Sequence, residues 1–440
     1  MVLPFLQSES RGILDRNIER GAIMPAKTPR NLAVDGNRLW STIMASAEVG
    51  KGPKGGLSRL TLSDDDRRMR DIFAGWCRDS GYRHSVDRLG SMFVRREGLD
   101  PELPPVLIGS HLDTQAAAGR FDGILGVLAG LEVLRTLDQV GISTRRPIEV
   151  VNWTNEEGAR FVPPMMASLA FAGKEKPEWV LDRVDKEGLR LGDELQRIGY
   201  AGTTAVGGRP IDAYFELHIE QGPKLDAAGI PIGIVTGGFP TRAMRIEITG
   251  ETAHVGPTPM ERRQNALVGA AHAAVVVDEV GWRYSAGEGK TTAARLDLWP
   301  NLPGIISERA TLYCDMRHPD PSQLERMVGE IEIGLANAAR LSRCRVEVAE
   351  RWGFGGFDFD AGLVGLLRQA AAERGHATMD LRSEAGHDAY HMASICPTAM
   401  IFTPCRGGIT HNEAEDMTLA EALPATNVLL AAVLARADRS

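Results

Sequence analysis

Positive charge is in deficit here: 50 Lys and Arg stand against 58 Asp and Glu, a formal net charge of −8. A basic face of the kind that binds nucleic acid or an anionic membrane is therefore not expected. The short basic clusters Arg67-Arg68 and Arg262-Arg263 sit beside acids and read as solvated helix faces. Cysteine is sparse too. Cys77, Cys314, Cys344, Cys396 and Cys405 are scattered, odd in number and free of C-x-x-C spacing. They fit a reducing compartment, with thiols packed as small apolar groups. Cys405 lies in a Gly-rich loop and is read the same way. No apolar run approaches the ~20 residues that span a bilayer. The opening MVLPFLQSESRGILDR lacks a basic segment and meets acids at Glu9 and Asp15, which makes a poor signal peptide. The expected setting is cytoplasmic. Neither an internal repeat nor a low-complexity segment occurs. What is present is the composition of a globular protein, 43% hydrophobic and 25% charged, in a chain of 440 residues that should form two or three compact units.

Residues 1–30 show weak periodicity and read as an arm. Helical spacing covers residues 37–48 and 63–80, with Ser63 a candidate N-cap ahead of three aspartates. Short apolar strands then alternate with helical stretches. They are PPVLIGS (104–110), PIEVVNWTN (147–155), AYFELHI (213–219) and TAMIFTP (398–404). This pattern predicts an α/β fold, a mostly parallel sheet with helices on both faces. Residues 237–350 have a different texture. AMRIEITG alternates as a half-exposed strand does, and a β-α-β-α-β order follows through ATLYCDMR and RVEVAER. An inserted α+β lid, a four-stranded antiparallel sheet with two helices, is expected there. The catalytic unit would then consist of residues 1–236 and 351–440, with hinges near Thr236–Gly238 and Trp352–Gly356.

Acids and histidines collect at the ends of those apolar strands. His111 and Asp113 close the first, Glu156 and Glu157 the second, His218 and Glu220 the third; His411 follows the fourth across CRGGIT. Asp122 sits in the Gly-flanked turn before GILGVLAGLEVLRTL. In an open parallel sheet, ligands gather beyond the carboxyl ends of strands. Any one histidine alone would be read as a satisfied core residue. Their joint placement points instead to a metal site. Imidazoles mixed with carboxylates suit Zn²⁺, with Mn²⁺ or Co²⁺ as substitutes. Three His and two carboxylates exceed what one tetrahedral catalytic site with an open position needs. They fit two divalent ions ~3.5–4 Å apart sharing a carboxylate.

The runs GSHLDT, AGRFDGILGV, WTNEEGARF, ELHIEQGP, GETAHVGPTPM, DMRHPD, AGHDA and GGITHNEAE resemble the hydantoinase/carbamoylase family of amidohydrolases. That family belongs to the wider clan of two-zinc aminoacylase-like and carboxypeptidase-like metallopeptidases. It includes N-carbamoyl-L-amino acid hydrolases, allantoate amidohydrolases and yeast-type β-ureidopropionases. The resemblance implies that His111, Asp122 and His218 hold one metal and that Asp122, Glu157 and His411 hold the other. It further implies Glu156 as the proton shuttle and Asp113 as the partner that fixes the His111 ring. His254 would polarise the scissile carbonyl in a neighbouring subunit of a homodimer joined through the inserted domain. Arg317 would grip the substrate carboxylate. Gln221, Asn301, Gly386 and His387 would line the pocket, with Asp388 behind them. The implied substrate is a small ureido or amide acid, most directly an N-carbamoyl-L-amino acid.

Two departures touch the pocket and leave the metal set alone. Gly304 stands where the family usually has a substrate-contacting Asn, so that Asn301 is a displaced candidate, and Glu384 stands where it usually has Gly. A plain-amide hydrolase of the same clan, an aminoacylase or dipeptidase, is the alternative enzyme. A non-catalytic homologue serving as a binding protein is the alternative class. It would be expected to have lost a ligand or the base, and neither is missing.

Overall fold

The computed structural model describes residues 31–439. The arm expected over residues 1–30 lies outside them. Six strands precede or frame the inserted segment on its first side and in its opening: β1 (Arg83–Val86), β2 (Met92–Arg96), β3 (Val106–His111), β4 (Ile148–Trp153), β5 (Ala213–Ile219) and β6 (Ile232–Gly238). Four more form the insertion: β7 (Thr241–Thr249), β8 (Lys290–Trp299), β9 (Arg309–Arg317) and β10 (Arg345–Phe354). β11 (Thr378–Ser383) and β12 (Thr398–Thr403) follow.

The larger sheet has the order β1-β2-β4-β3-β5-β12-β6-β11. Its middle strands β4, β3, β5 and β12 are mutually parallel. β2 runs antiparallel to β4, and β6 antiparallel to β12. The four parallel strands are buried along their whole length. That explains why they read as continuous apolar runs and not as alternating ones. Being parallel, they also deliver their carboxyl ends to one edge. The strands with no clear sequence signal, β1, β2, β6 and β11, lie towards the two flanks, where packing asks less of the sequence.

Helix Asp64–Asp79 starts as its sequence demands, with the Ser63 hydroxyl accepting from the Asp66 N–H. The last helix, Leu419–Ala437, opens on a complete capping box between Thr418 and Glu421. By length and composition it could cross a membrane. Here it packs against β12, β5 and helix Ala361–Glu373, as a core helix does.

The second sheet, β10-β7-β9-β8, is antiparallel throughout. Helices Ala266–Tyr284 and Pro321–Ser342 cover one face. Met244, Ile246, Ile248, Leu312 and Ile331 form a separate core beneath them. β8, for which the sequence pattern shows no clear signal, is an edge strand exposed over most of its residues. The opposite face carries Arg245, Tyr313, Asp315 and Arg317. The chain enters this sheet through Phe239-Pro240 and leaves it through Gly355-Gly356. The two crossings lie side by side, the Gly356 N–H donating to the Gly238 carbonyl at 3.1 Å. Gly355 has φ +76, and a β-carbon there would stand 1.9 Å from the Phe239 oxygen. No other residue fits that crossing.

Candidate metal centre

The parallel strands carry the donors to one point. His111 is the last residue of β3, and His218 the penultimate residue of β5. Each ring ties its Nδ1–H to a backbone carbonyl: His111 to Asp113 at 2.8 Å, and His218 to Ile219 at 3.0 Å. A carbonyl only accepts, so each ring carries a proton on Nδ1 and turns Nε2 towards the centre, where the Nε2 of His218 also meets the Gly123 N–H at 3.2 Å. Asp113 meets the His111 ring through its main chain. Its carboxylate stands 3.9 Å from the His111 Nδ1, and the ring partner is its main-chain oxygen. The carboxylate instead accepts from the N–H groups of Glu156 and Glu157, shaping the turn after β4.

Asp122 is buried between the two sets of donors. Its Oδ1 lies 3.1 Å from His218 Nε2 and its Oδ2 lies 3.4 Å from His411 Nε2. Burial works against its charge, but hydrogen bonds to His218 and His411 hold this carboxyl well below the usual range. His411 also stands 3.2 Å from Glu157 Oε2. Donor atoms of His111, Asp122 and His218 lie within 4.8 Å of one another, and so do those of Asp122, Glu157 and His411. Two clusters sharing one carboxylate suit a pair of divalent cations, because each oxygen of Asp122 faces a different imidazole. A third grouping, Glu216, His218 and His387, shares His218 with the first.

The local backbone is forced to make this approach. Asn155, Gln221 and His411 all hold left-handed φ values, 58°, 61° and 50°. Such conformations cost energy in non-glycine residues and collect where side chains must be aimed.

Glu156 is buried, with Oε2 3.4 Å from His111 Nε2. Burial, then the nearby acids Asp388, Glu157 and Asp113, push its carboxyl well above the usual range. The Gln221 amide donates to Asp122 Oδ2 at 2.9 Å. His387 is buried, its Nε2 3.0 Å from the Ser383 hydroxyl and its ring edge-on to His218. Burial, then the neighbouring His218, holds His387 well below its usual range. Asp388 accepts from the Ser168 hydroxyl and keeps a buried oxygen with no partner among the described residues.

Arg317, at the end of β9, reaches across from the second sheet and donates to the Glu384 carbonyl, facing a cleft of about 640 Å³ that His411, Gln221 and Thr410 also line. Gly386 is packed under the cleft, where a β-carbon would come 2.8 Å from Phe354 and Met165. Four of the expected residues, His254, Asn301, Gly386 and His387, do not line this cleft. His254 is exposed in the second sheet's loop, its Nδ1 accepting from the Gly256 N–H. Asn301 is exposed in the turn after β8.

Residues the motif reading passed over complete the site. Gln115 holds the Glu157 carboxylate twice, through its main-chain N–H at 3.1 Å and its amide at 2.9 Å. Thr410 donates to Asp122 Oδ2 at 2.9 Å. Glu415 accepts from the N–H groups of Phe121 and Asp122 and fixes the turn that carries the shared carboxylate. Thr410 and Glu415 fall inside the run GGITHNEAE, which was their available signal. Glu216 is an acid in the middle of a buried strand, satisfied by Ser110, Tyr214 and the Ala389 N–H. An acid in so apolar a run was the signal there. Cys405 is buried, and burial pushes its thiol up to about 12, so it is a packing residue.

Comparison with known proteins sets this geometry in a family. The pattern of Peptidase family M20/M25/M40 matches residues 107–435. An N-carbamoyl-L-amino-acid amidohydrolase of Rhizobium meliloti is 43% identical, over 93% of this chain and 98% of its own. An N-carbamoyl-L-amino acid amidohydrolase of Geobacillus stearothermophilus is 34% identical, over 90% and 97%. The crystal structure of an amidase of the hydantoinase/carbamoylase family from Burkholderia vietnamiensis superposes with a TM-score of 0.90 at 44% identity, covering 93% of this chain and 99% of that one. The chain thus belongs to peptidase family M20/M25/M40, within its hydantoinase/carbamoylase branch.

Proposed function

We propose that this protein is a dinuclear metal-dependent hydrolase of a ureido C–N bond, an N-carbamoyl-L-amino acid amidohydrolase that releases the amino acid, CO₂ and ammonia. The observation that carries this reading is Asp122, whose two oxygens face His218 and His411 from one buried carboxylate. The like-named relatives, matched over nearly their full length, support the substrate class.

His111, Asp122 and His218 would hold one cation, and Asp122, Glu157 and His411 the other; Zn²⁺ suits the donors, with Mn²⁺ or Co²⁺ as substitutes. When bound, the metals would acidify water and draw charge from the scissile carbonyl. Glu156 is the base. Buried beside His111, it is placed to take a proton from the attacking water and pass it to the departing nitrogen. Arg317 orients the substrate through its carboxylate, and Gln221 and Thr410 steady Asp122 from the cleft side. His387 and Asp388 back the His218 side of the pocket.

His254 acts in a partner subunit. It is exposed and away from the cleft of its own chain, while among the described residues β8 leaves an unpaired edge with Trp299 and Leu296 exposed beside it. A homodimer joined through residues 237–350 would cover that edge and bring each His254 to the other site. The unpaired, buried thiols accord with a cytoplasmic setting.

Ammonia release from a panel of N-carbamoyl-L-amino acids, allantoate and β-ureidopropionate tests the reaction. Loss of activity on chelation, with two metal equivalents by elemental analysis, tests the centre. No release from any member by metal-replete protein overturns the reading. Mixing inactive Glu156→Gln and His254→Ala chains tests the shared site, since one hybrid site would combine a sound base with a sound histidine. Mixed dimers that stay inactive would place His254 outside the reaction.

A further inference from the structure

Three cations from two parts of the fold converge on Glu384. Lys224 follows β5 in the larger unit, and its Nζ stands 2.9 Å from Glu384 Oε1. Lys290 opens β8 in the second sheet, opposite Arg317 in the β8–β9 register, and pairs with Glu384 Oε2. Arg317 donates to the main-chain oxygen of the same residue. All four line the cleft that leads to His411. Lys224 has a second acid, Glu288, at 3.6 Å, and Arg317 has Asp315 at 3.4 Å. Among the described residues, Glu384 is the only acid within ion-pair distance of Lys290. Burial and then the charges of Lys224 and Arg317 bear against the Lys290 ammonium, as expected of a crowded cationic wall.

We propose that Glu384 determines specificity: by neutralising Lys224 and Lys290 it sets the cleft against substrates whose side chain carries a second carboxylate. This rests on the reading of the protein as a ureido-acid hydrolase. Arg317 takes the carboxylate common to all such substrates. A second one would then meet Glu384, and discrimination here comes from juxtaposed like charge. Without the Glu384 carboxylate, two ammonium groups would face the cleft and favour it. A residue that merely tied the two sheets together would affect every substrate alike.

The test uses metal-replete wild type, Glu384→Gln, Glu384→Ala as a second variant, and the double variant Glu384→Gln/Lys290→Gln. kcat/KM is measured on N-carbamoyl-L-alanine and N-carbamoyl-L-aspartate. The aspartate-to-alanine ratio should rise about tenfold or more in both single variants, the scale of one charge contact, and fall back in the double variant. In parallel, calorimetric titration with glutarate should show about tenfold tighter binding to Glu384→Gln than to wild type. That arm reads the charge of the cleft without turnover. If wild type cleaves no ureido acid yet glutarate binding still tightens, the reaction has been misread and the role of Glu384 stands. A ratio shifted by less than about twofold with cleavage intact overturns the proposal, as does unchanged glutarate binding where nothing is cleaved.

Discussion

A β-carbon on Gly123 would lie 2.2 Å from Nε2 of His111. Gly123 also holds φ +69, so the turn that presents Asp122 and the ring of His111 can coexist only if this residue has no side chain. Gly123→Ala is expected to displace His111, lower metal content below two equivalents and cut turnover by at least ~10²-fold, the cost of a misplaced reacting group. Elemental analysis and steady-state kinetics read both effects. Full metal content with ordinary turnover would mean that the turn adapts.

Glu156 and Glu157 are neighbours with different surroundings, and their variants should fail differently. Glu156→Gln should retain both metals and lose turnover by ~10²–10⁴-fold. Glu157→Ala should lose about one metal equivalent, because Glu157 reaches His411 at 3.2 Å while Glu156 does not. Metal analysis beside kinetics separates the two. A loss below about tenfold in Glu156→Gln would assign the proton transfer elsewhere.

Arg59 is wholly buried and donates to three main-chain carbonyls, those of Leu112, Ser46 and Val49. Burial pushes its guanidinium down to about 10. Its main chain also pairs with Thr114, so it anchors the loop that follows His111. Arg59→Met strands those carbonyls, at a cost of about 3 kcal/mol or more. A lowered thermal midpoint and weakened metal retention are expected, measured by calorimetry and by competition with a chelator. An unchanged midpoint would contradict the anchoring role.

Asp87 lies away from the metal centre and gives a pH signature. Burial raises its carboxyl to about 7, although the N–H groups of Ser91 and Leu89 favour the charged form. Its Oδ2 is buried with no partner among the described residues. The folded value exceeds the unfolded one, so the contribution to stability is full below the unfolded value of about 3.8. It is lost as pH rises towards 7, at roughly 1.4 kcal/mol per pH unit within that window. Asp87→Asn can keep the Oδ1 acceptor and remove the ionisation. Urea unfolding near pH 5 and near pH 8 should show the variant gaining on wild type by more than ~1 kcal/mol. A constant difference would mean that Asp87 does not titrate in this range.

The candidate donor set that the fold gathers was readable along the chain because each member belongs to a local pattern. An acid or imidazole at the end of an apolar run is costly unless it has a partner, and His111, Glu157 and His218 each stand at such an end. That the buried strands β3, β4, β5 and β12 run parallel in one sheet followed from their apolar, unalternating texture. The flanking strands β1, β2, β6, β8 and β11 were not readable in that way. β1, β2, β8 and β11 are short, shielded less completely or open to solvent, and their sequences carry weaker constraint, whereas β6 is buried and its run is broken by glycines.

Which atoms meet across long stretches of chain was settled by the packing of the strands. Gln115 reaches Glu157, and Glu415 reaches the turn of Asp122 from far along the chain, through strand neighbours that no local spacing encodes. The Asp113 carboxylate turned to the main chain of Glu156 and Glu157 because β4 ends beside β3, leaving its own carbonyl to the His111 ring. Glu384 meets Lys224 and Lys290 only because the second sheet lies over the cleft with β8 at its edge. Local chemistry names the groups that cannot be buried alone; sheet order and the crossing at Gly355-Gly356 choose their partners.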